Sequence, residues 1–167
     1  LGDVYKRQQF DYLLGQVQPL TNFVYLHLMG EPLLHPQLDR LLELCAQRGL
    51  KVSLTTNGTL LEEKREILLN APALHKVNIS LHAFEANDLS VPFETYLSRC
   101  FSFGQAAEGK FLVVYRLWNG GGAEQRNPEI LSAMERAFPA PWDVQPRGTQ
   151  IAQRVYLEYG DKFDWPD

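Results

Sequence analysis

Five short segments of the chain are apolar or alternate apolar with polar: Phe23–Met29, Lys51–Asn57, Lys76–His82, Phe111–Trp118 and Arg154–Tyr159. Each is rich in Val, Ile, Leu, Tyr or Phe and has the length of a strand. Between them the apolar spacing becomes helical. Leu38, Leu41, Leu42 and Cys45 form a stripe entered at Pro36 and stopped at Gly49. Thr59 and Glu62 have the spacing of a capping box for a second helix. Pro92 leads the stripe Phe93, Tyr96, Leu97, Cys100 and Phe101, and Asn127-Pro128 opens one carrying Ile130, Leu131, Met134 and Phe138. A weaker helical pattern spans Gln9–Val17, and Gly120-Gly121-Gly122 reads as a loop after the fourth strand.

Strand and helix in alternation predict an α/β fold with a parallel sheet, because parallel neighbours need a long return connection. Right-handed crossovers leave an open doubly wound sheet or a complete or partial barrel. The polar positions narrow this further. Val77, Ile79 and Leu81 alternate with Asn78, Ser80 and His82; Val52 and Leu54 alternate with Ser53, Thr55 and Asn57; Val24, Leu26 and Leu28 alternate with Tyr25, His27 and Met29. A parallel sheet covered on both faces would read apolar throughout. The apolar set belongs under the helices, so the polar set turns into the interior of a curved sheet. Unpartnered polar groups there would cost about 2 kcal/mol or more each, so that interior reads as a binding cavity. An antiparallel sheet with one wet face would also alternate, but it would not need the intervening helices.

Unusual residues gather at or just past the predicted carboxyl ends of strands: Gly30-Glu31-Pro32, Asn57-Gly58, His82 and Arg116–Asn119. Parallel α/β folds build their sites on that edge. Gly30 permits close approach to the backbone, and Arg116 can fork onto a carboxylate. Each also has an ordinary structural use as loop opener, turn or surface charge, as do His27, His35, His75 and His82. Their shared edge is what points to function.

Composition excludes several classes. The 167 residues carry 16 Lys+Arg against 20 Asp+Glu, a net charge of −4, and are 45% hydrophobic and 22% charged. That is neither a disordered nor a fibrous chain, and it has no basic footprint for nucleic acid or a membrane surface. No apolar run approaches the ~20 residues of a bilayer span. The length suits one domain that buries roughly 70% of its unfolded surface. Cys45 and Cys100 lie far apart on predicted helix faces and read as buried thiols of a reducing, cytoplasmic compartment. Residues 1–8 have neither the apolar core nor the cleavage site of a signal peptide. They resemble translated adapter sequence and read as a non-native or unstructured end. Residues 9–160 then form the structured unit, and 161–167 read as the start of a linker to a further domain.

The segment Leu28-Met29-Gly30-Glu31-Pro32-Leu33-Leu34-His35-Pro36 resembles the Gly-Gly-Glu-Pro motif that follows the second strand of radical S-adenosylmethionine (radical SAM) enzymes. Leu54–Leu61 resembles the end of their third strand, and Val77–His82 resembles their fourth. The three stand in the family's order, and the resemblance covers residues 9–160. Arg147-Gly148, Glu158-Tyr159-Gly160 and Trp165-Pro166-Asp167 resemble the branch with a Cys-rich auxiliary-cluster domain, the SPASM type. The resemblance implies a partial (β/α)6 TIM-like barrel, here a fragment without the first strand and cluster loop. It also implies S-adenosylmethionine and a [4Fe–4S] cluster at the open end. Reductive cleavage of the sulfonium would give a 5′-deoxyadenosyl radical that abstracts hydrogen from a small-molecule or peptide substrate, with an external electron donor.

Taken residue by residue, the resemblance sets Gly30 and Glu31 against the methionyl ammonium, largely through main chain. Thr55 or Asn57 would line the methionine or substrate end, and Ser80 the ribose or carboxylate region. His82 would lie nearby, and Arg116 would meet the cofactor carboxylate. Two departures stand out. Met29 replaces the first glycine of the motif, and the family's Cys-x3-Cys-x2-Cys loop is absent. Cys45 and Cys100 cannot supply three thiolates on one loop, so this chain alone is expected to hold no cluster and to show no radical activity. Two other readings stay open: a barrel metal hydrolase with His27, Glu31 and His82 as ligands, and a non-catalytic α/β module that binds a nucleotide-like ligand.

Overall fold

The computed structural model describes residues 7–27, 30–86, 91–121, 125–146 and 148–161. Helix α1 (Arg7–Val17) leads into β1 (Phe23–Leu26), α2 (Leu38–Gln47), β2 (Lys51–Thr56), α3 (Leu61–Leu69) and β3 (Leu74–Ser80). Then follow α4 (Phe93–Ala106), β4 (Leu112–Gly120), α5 (Asn127–Ala137), β5 (Asp143–Gln145), β6 (Gly148–Ala152) and β7 (Val155–Asp161). Short 3-10 helices cover Pro32–Leu34 and Leu81–Ala86. One seven-stranded sheet runs in the order β1-β2-β3-β4-β7-β6-β5. Strands β1 to β4 and β7 are parallel, as the alternation of strands and helices predicts, and helices form the crossovers.

Side-chain parity divides this sheet into two faces. Val52, Leu54, Val77, Ile79, Val113, Tyr115, Leu117, Val155 and Leu157 are fully or almost fully buried. They pack in one core with the helical stripes: Leu38, Leu42 and Cys45 of α2, Leu61 and Leu68 of α3, Leu97, Cys100 and Phe103 of α4, and Ile130 and Met134 of α5. The opposite face carries Ser53, Thr55, Lys76, Asn78, Ser80, Arg116 and Glu158. The registers Ser53↔Lys76, Thr55↔Asn78, Ser80↔Arg116 and Arg116↔Glu158 set them side by side across four strands. Ser53 and Asn78 are only 4% exposed, whereas Tyr25, beside Ser53 at the β1 edge of the same face, is exposed.

Several local expectations are corrected. Strands β5 and β6 form an antiparallel hairpin beside β7, which sequence reading left out. β5 is three residues long, Asp-Val-Gln, and its one apolar residue, Val144, is exposed, so the segment is too short for alternation to announce it. Helix α2 begins at Leu38 rather than at Pro36, and α1 starts at Arg7 rather than at Gln9, so Arg7 and Gln8 are helical and not an unstructured end. Thr59 and Glu62 form no capping box: α3 starts at Leu61, with Leu60 at its N-cap and no side-chain cap. The Thr59 N–H and hydroxyl instead donate to Asn57 Oδ1, at 3.0 and 2.8 Å. Gly120 is the last residue of β4 rather than part of a loop. His82 lies in the 3-10 helix after β3 rather than in the strand. Leu28, Met29, Arg147 and the Trp165-Pro166-Asp167 end lie outside the described residues.

Candidate functional site

The carboxyl ends of β1, β2, β3, β4 and β7 share one edge of the sheet, and Glu31 organises its first corner. Gly30 has φ +89°, a left-handed conformation that reverses the chain after β1. This turn aims the Glu31 carboxylate at the end of β2. Glu31 Oε1 accepts from the Thr56 hydroxyl at 2.7 Å and from Leu33 N–H at 3.1 Å; Oε2 accepts from Asn57 N–H at 2.8 Å. Both carboxylate oxygens are therefore engaged inside the protein. The Glu31 carbonyl accepts in turn from the Leu34 N–H at 3.1 Å, closing the short 3-10 turn that follows.

Asn57 is gripped from its other side as well. The Tyr96 hydroxyl, carried on α4, donates to the Asn57 carbonyl at 2.7 Å, and Asn57 Oδ1 holds Thr59. Burial holds the Tyr96 phenol well above its ordinary pKa, so it stays a donor at neutral pH. The turn after β2 is thus pinned by a carboxylate from one element and a phenol from another. Sequence reading found Asn57 but not Thr56 or Tyr96. Tyr96 lies on the apolar stripe of α4, and nothing in a stripe says where its hydroxyl ends.

Toward β3, Asn78 Nδ2 donates to Leu54 O and Thr55 Oγ1, both at 3.2 Å. Asn78 Oδ1 is buried without a hydrogen-bond partner. Ser80 is half-buried at the top of the same face, in register with Arg116. Next to it, His82 Nδ1 lies 3.3 Å from Arg116 O and accepts from Trp118 N–H at 3.3 Å. It holds the carboxyl end of β4 at the point where the β4–β7 register shifts. Arg116 lies over the Trp118 ring at 4.2 Å, with Nε 3.6 Å from Glu158 Oε2 on β7. Lys76 Nζ approaches Glu158 Oε1 at 4.0 Å. Sequence reading noted Glu158 only as part of a terminal pattern. Its place opposite Arg116 depends on pairing across strands far apart in the chain.

Burial lowers the His82 pKa below its ordinary 6.5; the Arg116 carbonyl works the other way and the Arg116 charge adds to the lowering. The folded protein therefore binds fewer protons here than the unfolded chain does. His82 contributes stability that is intact above pH 6.5 and is lost as pH falls through the lowered folded value. Urea unfolding of the unmodified protein and His82→Gln is expected to show their stability difference shrinking from about pH 7.5 to about pH 5.5. A difference that stays flat across that range would remove His82 from the acid sensitivity.

The hydrolase arrangement does not form. Among the described residues no group of three or more His, Cys, Asp or Glu side chains converges to hold a metal. Glu31 is engaged by Thr56 and Asn57, and His82 by the backbone of β4, so neither is free to meet His27 around an ion.

The family model for the radical SAM superfamily matches residues 8–100, which takes in the Glu31 clamp, the Asn57 turn and Ser80. The chain belongs to the radical SAM superfamily. Solved structures share its fold. Streptococcus suis SuiB bound to S-adenosylmethionine superposes with a TM-score of 0.59 at 18% identity, over 81% of this chain and 32% of SuiB. SuiB bound to the precursor peptide SuiA gives the same score over 31% of its length. Archaeal TYW1 gives 0.54 at 18% identity, over 82% of this chain and 56% of TYW1. The radical SAM chain described here thus spans about a third of SuiB. No curated protein matches it by sequence.

The two groups that membership implies fare differently in these residues. The polar rim, with the left-handed Gly30 turn and with Ser80 and Arg116 side by side in register, carries the donors and acceptors that an amino-acid nucleoside needs. The cluster does not fit. Cys45 and Cys100 are free, buried in the helical layer, and burial pushes their thiols up to about 11 and about 12. Inert thiols on different helices are no substitute for three thiolates on one loop. Among the described residues no helix is long and apolar enough to cross a membrane.

Proposed function

We propose that this chain is the S-adenosylmethionine-facing wall of a radical SAM enzyme of the SPASM-type branch, a fragment whose cluster loop is supplied by other parts of the parent. The observation that carries this reading is the Glu31 clamp, which fixes the Gly30–Pro32 main chain over the mouth of a polar face. In this reading Gly30 and Glu31 present backbone carbonyls to the methionyl ammonium. Thr55 and Asn57 line the methionine end, Ser80 meets the ribose, and His82 steadies the neighbouring strand end. Arg116 turns its outer guanidinium nitrogens to the carboxylate while Nε faces Glu158. The bound cofactor supplies the radical chemistry; these residues bind it, orient it and keep water from it. The two reduced thiols suit a cytoplasmic protein with an external electron donor. The SuiB complex with SuiA supports a peptide substrate.

Titration of the 167-residue chain with S-adenosylmethionine, followed by amide hydrogen exchange, tests the binding reading. Slowed exchange is expected at the turns after β1 and β2, and adenosine and methionine given separately should protect less. Anaerobic reconstitution of the complete reading frame is expected to release 5′-deoxyadenosine, whereas the 167-residue chain alone should release none. A cluster-loaded parent that yields none under strong reductant would overturn the assignment.

A further inference from the structure

The polar face continues below the rim, where one carboxylate stands between two cations. Glu158 lies 3.6 Å from Arg116 Nε through one oxygen and 4.0 Å from Lys76 Nζ through the other. Both are ion-pair distances, longer than a close hydrogen bond. All three side chains are mostly withdrawn from water, at 28% exposure for Lys76, 17% for Arg116 and 25% for Glu158. Arg116 Nε is buried with no hydrogen-bond partner, and so is Asn78 Oδ1 on the same face. Asn78 as a residue is 96% buried (4% exposed), and its amide nitrogen is already engaged by Leu54 and Thr55. The group thus has a surplus positive charge, a donor without an acceptor and an acceptor without a donor.

Its surroundings reinforce the sign. His75, at the amino end of β3, has its pKa lowered by burial and then by Lys51, Arg154 and Lys76. Lys76 thus belongs to the cations around His75 at the amino end of β3. Two cations sharing one carboxylate, withdrawn from water, are poised for a second anion.

We infer that Lys76, Arg116, Glu158 and Asn78 form a substrate subsite for a carboxylate, with Asn78 Oδ1 receiving an N–H or O–H donor next to that carboxylate. This deepens the functional reading above and rests on it: the cofactor occupies the rim, where its carboxylate meets the outer nitrogens of Arg116, and the acid lies below it, on Lys76 and the Nε side of Arg116. Lys76 is the principal anchor, because among the described residues the one carboxylate it pairs with is shared with Arg116. Glu158 competes with the ligand for both cations. A free acid and an acidic side chain of a peptide present the same chemistry.

Isothermal titration of the 167-residue chain tests this with N-acetylglutamate and with a capped tripeptide that has a central glutamate, each against its glutamine counterpart. The acid forms are expected to bind at least about tenfold more tightly than the amides. Tighter binding of the tripeptide marks a peptide source, and equal binding marks a free acid; both outcomes support the subsite. Lys76→Met is expected to weaken the acid by about tenfold or more, and Glu158→Gln to tighten it, since removal of the internal competitor frees both cations. A gain of affinity cannot come from damage to the fold. Acid and amide binding alike, or Glu158→Gln failing to tighten, overturns the inference. Titration of the unmodified chain with S-adenosylmethionine separates the two readings. A chain that takes the cofactor and refuses the acid has lost only this subsite, and one that takes the acid and refuses the cofactor has lost the functional reading.

Discussion

Glu31→Ala is expected to destabilise the protein by about 3 kcal/mol and to weaken S-adenosylmethionine binding by at least about tenfold. The side chain accepts three hydrogen bonds, from Thr56, Leu33 and Asn57. Bonds to an ionised carboxylate each contribute about 1.5–3 kcal/mol, but a half-buried cluster is less than additive, and water replaces part of the loss. The binding loss has a different origin. Without the carboxylate nothing ties the loop after β1 to the turn after β2, so the main-chain acceptors no longer hold one position. Glu31→Gln separates the two effects. Its amide oxygen can still serve Thr56 and Leu33, but its NH2 then meets the Asn57 N–H, donor against donor. The expected result is a smaller stability loss, faster exchange of the Asn57 amide and weakened cofactor binding. If Glu31→Gln matches the unmodified protein in all three, the clamp does not position the site.

The second large effect is expected far from the rim. Gly104→Ala should cost about 3 kcal/mol and lower Tm by roughly 10 °C, although alanine is the better helix former by up to about 1 kcal/mol. Gly104 lies buried in α4, and an added Cβ would collide with the Tyr115 hydroxyl. That hydroxyl donates to Cys100 O at 2.8 Å, and the Tyr115 ring is fully buried with Phe101 and Phe138 against it. The ring has nowhere to go without opening the helical layer. Tyr115→Phe removes only the colliding oxygen. In the double variant Gly104→Ala with Tyr115→Phe, the expected stability exceeds that of Gly104→Ala alone, a coupling that thermal and urea unfolding both measure. Strict additivity would mean that the space at Gly104 is not what the helix requires.

Much of the architecture is legible in the chain itself. The strand at Lys51–Asn57 shows how: Val52 and Leu54 alternate with Ser53 and Thr55, and parity alone sends the first pair under the helices and the second to the polar face. The same rule works for Val77, Asn78, Ile79 and Ser80. It works because side-chain direction along a strand depends only on the local backbone. It fails at Thr56, which by parity belongs to the helical side and yet reaches Glu31, because it is the last residue of β2 and the strand ends there. It also fails for β5, where parity has a single apolar residue to act on, Val144, and that one is exposed; the segment pairs with β6 all the same.

Thr59 illustrates the limit for local motifs. The spacing to Glu62 suits a cap, but Asn57 Oδ1 lies closer to the Thr59 donors, and an Asx-type turn wins over the capping box. Where two local hydrogen-bonding schemes compete, spacing cannot choose between them. The surrounding chain chooses, here by fixing Asn57 from both sides.

The alternation of strand and helix, the two faces of the sheet and the gathering of Gly30, Asn57, Ser80 and Arg116 on one edge follow from the amino-acid order, since each depends on neighbours within a turn or a strand. The clamp of Glu31 on Asn57, the reach of Tyr96 and the placing of Glu158 between Lys76 and Arg116 were decided only by the folded packing. These contacts join residues 26, 39 and more positions apart, and no local periodicity carries the distance between two side chains that meet only once the sheet has closed.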